Sequence, residues 1–374
     1  MTPRERYIAT LTFQQVDKLP FRPGHPREST RKRWAQEGLP LDAPLNEALT
    51  QVLDIDPAAF EHGIGLPCSF QMMPKFEEQV LSHQDGHYIV RDWMGAITEI
   101  SDEYDYTYIR SAKDFVTRKW HKFPVENKSD WVKMKFRYDP NDASRIPENL
   151  AEIGKKIKNR AYPIVINVNG PFWQLREWMG MENLCVAFLD EPDFVSEMID
   201  FWCGYVLELF EKFLPHVAVD GVHISEDMAF KAHSMISPTM TREFLMPVYK
   251  KWSRKLFDAG VPILDMDSDG FIEELIPIWI ESGINVCDPI EVAAHNDIVK
   301  FRGMFGNKMA FQGGVDKRAM AAGGRELSNE INRVAKVMET GGYIPACDHG
   351  IPHDVSFINY REYVRLLAKI TGWI

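Results

Sequence analysis

Polar and apolar positions divide the chain into two stretches of unlike character. From residue 145 onward the pattern is regular. A helical period at 147–159 runs into the apolar segment YPIVINVNG. It is followed by a helix at 192–214, the strand HVAVDGVHI, and a helix at 238–259 that starts at Ser237-Pro238 and stops at Gly260. The strand VPILDMD, a helix at 270–281, the strand GINVCD and a helix from about 291 to 303 continue the series. KMAFQGG, a helix at 325–340, GYIPACD and a closing helix over Tyr360–Ile370 complete it. Apolar strands alternating with helices of this length make parallel βαβ units.

The first 145 residues obey no single period. Thr2 can cap a helix with Pro3 at its first position and Glu5 closing a capping box, and Tyr7, Ile8, Leu11 and Thr12 fall on one side of it. LPFRPG reads as a short strand ending in Arg22 and a Pro/Gly turn, and a helix from about Glu28 to Gln36 ends at Gly38. HYIVRDWMGAITEI alternates and contains Gly95, which predicts a hairpin, and a helix begins at Ser129 with Trp131 and Met134 inward. Residues 40–150 are read as loops, short strands and helices elaborating one end of a single domain over 1–374. No GxGxxG or GxxxxGK[ST] marks a first βα turn, which speaks against dinucleotide and P-loop folds. At least five consecutive units, plus an earlier strand ending in Arg22, favour an α/β fold of the (β/α)8 TIM-barrel type.

Charge and composition narrow the setting. The net charge of -11 argues against broad nucleic-acid or anionic-membrane binding. The first fifteen residues are amphipathic and lack the apolar region of a secretory signal, and no run is long enough to span a bilayer. Five widely spaced cysteines do not form a disulfide framework, so a reduced cytoplasm is the expected location.

A barrel carries its chemistry at the C-terminal ends of its strands. Those ends hold Arg22 and His25; Asn167 and Asn169; His223, Glu226 and Asp227; Asp265, Asp267 and Asp269; Cys287 and Asp288; Gln312 and Asp316; Cys347, Asp348 and His349. Asp265, Asp267 and Asp269 occupy alternate positions, so two or three carboxylates can crowd one face and raise a pKa or recruit a cation. Helix capping by Asp269 is the alternative. Cys347 and His349 can bind a soft metal or move a proton, or serve as a buried thiol and a turn cap. Arg22 can hold a carboxylate bidentately or pair with one of the chain's own acids. A catalytic zinc wants three protein ligands, which Cys347 with Asp267, Glu226 or His349 could supply once folding gathers them. Glu226, Asp267, His349 and Arg22 are thus the catalytic candidates. His223, Asn169 and Gln312 are candidate cofactor contacts.

MTPRERYIATLTFQQVDKLPF, ILDMDSDGFIEELIPIWIESGINVCDPIE, FQGGVDKRAM and GGYIPACDHGIPHDVSFINYREYV resemble segments of the uroporphyrinogen decarboxylase superfamily over nearly the whole chain. The resemblance implies a barrel and, by family habit, a homodimer. True uroporphyrinogen decarboxylases work without a cofactor and carry Arg-Gln-Ala-Gly-Arg-Tyr at the first strand. Here FRPGHPREST stands in that place, with Arg22 kept and the second arginine lost, while His349 lies where that branch keeps an active-site histidine. The other branch holds zinc- and corrinoid-linked methyltransferases and demethylase components. Its His-X-Cys zinc pair and later Cys match Asp267, Asp269 and Cys347, so the resemblance implies a metal site of Cys347, Asp267 and Asp269, with Glu226 as a further ligand or acid. A harder ligand field of that kind suits an ether or amine better than a thiol.

Three functions follow. The leading one moves a methyl group between a small methylated O- or N-substrate and a corrinoid carried by a separate protein, with a metal such as zinc or an acid activating the leaving heteroatom. The second is cofactor-independent decarboxylation of uroporphyrinogen or a related polycarboxylate. The third is a barrel that binds a tetrapyrrole or small ligand without turnover.

Overall fold

The computed structural model describes residues 1–40, 44–60, 63, 65–103 and 118–374. The chain divides into two compact units: Met1–Leu66, Glu152–Val168 and Val217–Ile374 form one, and Pro67–Ala151 with Asn169–His216 form the other. Among the described residues no helix is long and apolar enough to cross a membrane.

The first unit is an α/β barrel. Six strands pair side by side in chain order: β5 (Val165–Asn169, whose last residue falls in the second unit), β6 (Gly221–Ser225), β7 (Ile263–Asp267), β8 (Val286–Asp288), β9 (Ala310–Val315) and β10 (Tyr343–Cys347). Helices separate them, as the alternating pattern requires. The expected strand at LPFRPG is reduced to parallel bridges, Phe21 to Phe60 and Pro26 to Ile351. Pro20, Pro23 and Pro26 lack the amide hydrogens a ladder needs, so this stave pairs only at isolated points. The six strands and these bridged segments supply the staves of a TIM barrel.

Helix α1 (Pro3–Leu11) has the expected capping box, Thr2 with Glu5. Its Tyr7 and Leu11 pack against Ile263, Val286, Ala310 and Ile344, at the starts of β7, β8, β9 and β10. These are N-terminal strand ends, so α1 closes the barrel floor and leaves the C-terminal ends for chemistry.

Two helices start later than their periodicity suggests. The segment at 270–281 becomes helical over Ile276–Glu281, with Pro277 in its first turn. The one at 291–303 becomes Ile298–Phe305, capped by Asp297. Between them, buried Asn296 bonds the backbone of Gly270, Ile272 and Glu291, holding as a loop what the pattern alone reads as helix.

The second unit contains the four-stranded antiparallel sheet β1 (Gln79–Gln84), β2 (His87–Arg91), β3 (Ile97–Ser101) and β4 (Arg118–Lys122). The hairpin at Gly95 is β2–β3. Helices Pro171–Met179, Met181–Asp190 and Pro192–Phe213 follow, the first two unmarked by the sequence pattern. Their shared core is aromatic. Trp131, Tyr138, Trp178 and Trp202 meet ring to ring, and the Tyr138 hydroxyl accepts from Trp178 Nε1 at 2.9 Å.

Buried Asp220, just before β6, joins three segments of the first unit. It accepts from Arg4 Nε at 2.8 Å, Arg160 Nη2 at 2.5 Å and the Ile164 amide at 2.8 Å. Arg160 is itself almost wholly buried, so Asp220→Ala strands a guanidinium without its counter-charge. The expected loss is about 3–5 kcal/mol of stability, read from urea unfolding; a loss below about 1 kcal/mol, the scale of an exposed pair, would refute the role.

Candidate functional site

Parallel register builds the site. His223 on β6 lies opposite Asp265 on β7, Ser225 lies opposite Asp267, and Asp267 lies opposite Asp288 at the end of β8. Asp265 and Asp267 share a face because side chains alternate along a strand. The result is one imidazole among three carboxylates. His223 Nδ1 lies 3.4 Å from Asp265 Oδ2 and 3.9 Å from Asp288 Oδ1, and its Nε2 lies 3.5 Å from Asp267 Oδ2.

The backbone fixes these ends. The amides of Glu226 and Asp227 donate to the Asp267 carbonyl at 2.9 and 3.1 Å, and the Ser268 amide donates to the Asp288 carbonyl at 3.1 Å. Two glycines allow the close passages. A Cβ on Gly313 (φ +91°) would meet the Pro289 carbonyl oxygen at 1.9 Å, and one on Gly270 (φ +82°) would meet the Ala229 carbonyl oxygen at 2.3 Å.

A second layer lies behind the cluster. Gln312 Nε2 on β9 donates to Asp265 Oδ2 at 2.6 Å, and Arg22 Nη1 donates to Gln312 Oε1 at 2.5 Å. The Arg22 guanidinium lies 5.2 Å from the centre of the Tyr7 ring on α1.

Burial, then the charge of Asp265, push the Asp288 carboxyl well above its ordinary range. Burial works against the charged form of His223, but the carboxylates of Asp288, Asp265 and Asp267 outweigh it and hold the imidazole well above its usual value. Buried oxygens Asp265 Oδ1 and Asp288 Oδ1 have no hydrogen-bond partner.

Among the described residues, His223, Asp267 and Asp288 form a group whose ligand atoms all lie within 4.8 Å of one another. Neighbouring ligands on a zinc-sized cation sit roughly 3–3.5 Å apart, given bonds of about 2.1 Å. The 3.5 Å between His223 Nε2 and Asp267 Oδ2 meets that spacing, and the unpaired Asp288 oxygen is the kind of group a cation satisfies. The donor set therefore fits a divalent metal of nitrogen and oxygen preference.

The other candidates lie in different settings. Asp269 accepts from His349 Nε2 at 3.0 Å, while His349 Nδ1 accepts the Gly350 amide at 2.7 Å. Both ring nitrogens of His349 are thus engaged. Glu226 is fully buried and accepts the Tyr249 hydroxyl. Cys347 is buried, and burial pushes its thiol up to about 12. Asn169 belongs to the second unit, where its amide donates to Gln174 at 3.1 Å and to Glu177 at 3.2 Å. Arg22 and Gln312 form the layer behind Asp265. The register brings in Asp265 and Asp288, which strand-end position had marked but no ligand pattern had selected.

A cavity of about 550 Å³, lined by Phe21, Arg22, His25, Phe60, Asp288, Gln312 and Cys347 among others, opens beside the group within the first unit. That is the size of a small-molecule pocket. The Phe21 and Phe60 rings meet edge-on at 5.5 Å in its wall.

The model of the uroporphyrinogen decarboxylase (URO-D) family matches residues 120–370. The chain belongs to this family. A methyltransferase from Methanosarcina mazei has a similar solved structure, with a TM-score of 0.59 and 14% identity over 99% of each chain, a likeness of fold. A B12-independent methionine synthase from Shewanella sp. W3-18-1, in complex with selenomethionine, matches 60% of this chain and 65% of its own at TM-score 0.40 and 13% identity. No curated protein matches the chain. This URO-D family member therefore joins a barrel of the expected class to an acid–imidazole cluster at its strand ends.

In the second unit, burial raises the Glu177 carboxyl to about 6, against hydrogen bonds from Trp173 and Gln174. The native state thus keeps a proton that the unfolded chain, near 4.5, gives up first. Stability falls as pH rises through 4.5 to about 6 and is level above. Glu177→Gln removes this dependence, so the variant should gain about 2 kcal/mol relative to the parent between pH 4 and pH 7. Paired denaturant titrations measure it; parallel pH profiles would show that the group titrates normally.

Proposed function

We propose that this URO-D family member takes a methyl group from a small methylated O- or N-compound and delivers it to a corrinoid held by a partner protein, with a divalent metal such as zinc at the strand ends. The observation that carries the reading is the His223–Asp267–Asp288 group beside a cavity with an aromatic wall. The fold shared with a structure described as a methyltransferase supports it.

In such a transfer the bond from methyl carbon to heteroatom breaks. Its electron pair stays on the heteroatom, which gains a proton, while the acceptor's electron pair takes the carbon. A metal bound here would supply Lewis acidity toward the leaving heteroatom, and the corrinoid would supply the electron-rich acceptor. The chain's own part is to hold and exclude. His223, Asp267 and Asp288 would hold the metal, with Cys347 a softer donor in the cavity wall. Phe21 and Phe60 would keep water from the methyl carbon and favour an apolar or cationic methylated end. The acceptor protein would seat over the strand ends, and the setting would be cytoplasmic.

A second reading, decarboxylation of a polycarboxylate, is favoured by one observation: Arg22 and His25 both line the cavity.

The test supplies purified protein, zinc and free cob(I)alamin with a panel of methyl ethers and methylamines, and follows methylcobalamin by absorbance. His223→Ala and Asp267→Ala should each lower the rate by about 100-fold or more, beyond the 10–100-fold known for outer-shell partners. Activity that persists in both variants, or carbon dioxide released from polycarboxylates with no methyl transferred from any donor, would overturn the methyltransferase reading.

A further inference from the structure

We propose that Asp265, held by Gln312 and Arg22, fixes His223 so that Nε2 receives the metal and Nδ1 keeps its hydrogen. This rests on the metal site of the proposed function and assigns positioning roles that site does not require.

Asp265 has the geometry of an orienting group. Its residue is only 3% exposed, and one oxygen, Oδ2, receives both Gln312 Nε2 at 2.6 Å and His223 Nδ1 at 3.4 Å. A buried carboxylate so placed favours a hydrogen on Nδ1, which leaves Nε2, 3.5 Å from Asp267, as the nitrogen for the metal. A carboxylate behind a metal-bound histidine sets ring orientation and raises ligand basicity. The other oxygen, Oδ1, is buried without a partner, so the carboxylate's charge is met chiefly by Gln312 and His223.

Gln312 and Arg22 hold Asp265 from across the barrel. β9 and β7 are alternate strands, and inward side chains of alternate strands share one layer, so Gln312 reaches Asp265 past β8. The amide of Gln312 can turn only one way here. Its oxygen accepts from Arg22, a donor-only group, and its nitrogen must therefore face Asp265. Among the described residues Arg22 has no carboxylate within ion-pair distance, and its guanidinium rests over Tyr7. Arg22 thus orients the Gln312 amide directly, while its charge reaches Asp288 without a direct ion pair.

The experiment uses the metal-free full chain. Cobalt(II) is titrated by calorimetry and by its visible spectrum. Cadmium-113 is added to protein carrying nitrogen-15 histidine, and cadmium–nitrogen coupling identifies the ligating atom. The parent should show cadmium on His223 Nε2 with a hydrogen on Nδ1. Asp265→Asn and Gln312→Leu should each weaken cobalt binding by about 10- to 100-fold and shift its spectrum, with thermal melts confirming that each variant is folded. Parent-like cobalt affinity in both folded variants, or cadmium on Nδ1, would overturn the proposal while leaving methyl transfer intact. No cobalt or cadmium binding by the parent would defeat both this assignment and the metal half of the function. Metal bound as described without methyl transfer would defeat the function alone.

Discussion

Parallel pairing sets neighbouring strands about 4.8 Å apart and holds their ends at matched heights. From the middle of β6 and β7 to the ends of β7 and β8, that constraint places His223, Asp265, Asp267 and Asp288 together. Three carboxylates this close repel one another, and Asp265, the one nearly buried, also loses hydration, at several kcal/mol for a buried ion. The protein meets this with an imidazole and with a hydrogen bond from Gln312, and burial and crowding together push the Asp288 carboxyl above its ordinary range. What remains unbalanced is two carboxylate oxygens without a hydrogen-bond partner, one on Asp265 and one on Asp288.

Much of the barrel was legible in the sequence, because apolar strands alternating with amphipathic helices leave few other folds. The capping box of α1 and the helix at Glu28–Gln36 were read directly from local chemistry. The failures came where tertiary bonds override local pattern. Asn296 holds a loop that periodicity reads as helix, and three prolines reduce the first stave to isolated bridges. The helices Pro171–Met179 and Met181–Asp190 meet at Gly180 (φ +80°), which divides one largely apolar stretch into two short helices.

The site was legible as a set of positions and not as a set of partners. Reading strand ends named His223, Asp265, Asp267, Asp288, Gln312 and Arg22. Which of them meet depends on register, and one residue of register moves a side chain to the opposite face. Asp267 and Asp269 look alike in DMDSD, yet Asp267 ends β7 beside His223 while Asp269 lies beyond the strand and bonds His349. A two-residue spacing gives a shared face only while the chain stays extended.

The floor formed by α1 has a consequence for traffic. With Tyr7 and Leu11 packed over the starts of β7, β8, β9 and β10, those strands leave their C-terminal side for exchange. In the proposed transfer, donor and acceptor would share that side. A spent donor must leave before a bulky acceptor seats, unless both fit at once in about 550 Å³. Closing one end of a barrel thereby converts a question of binding affinity into one of sequence in time.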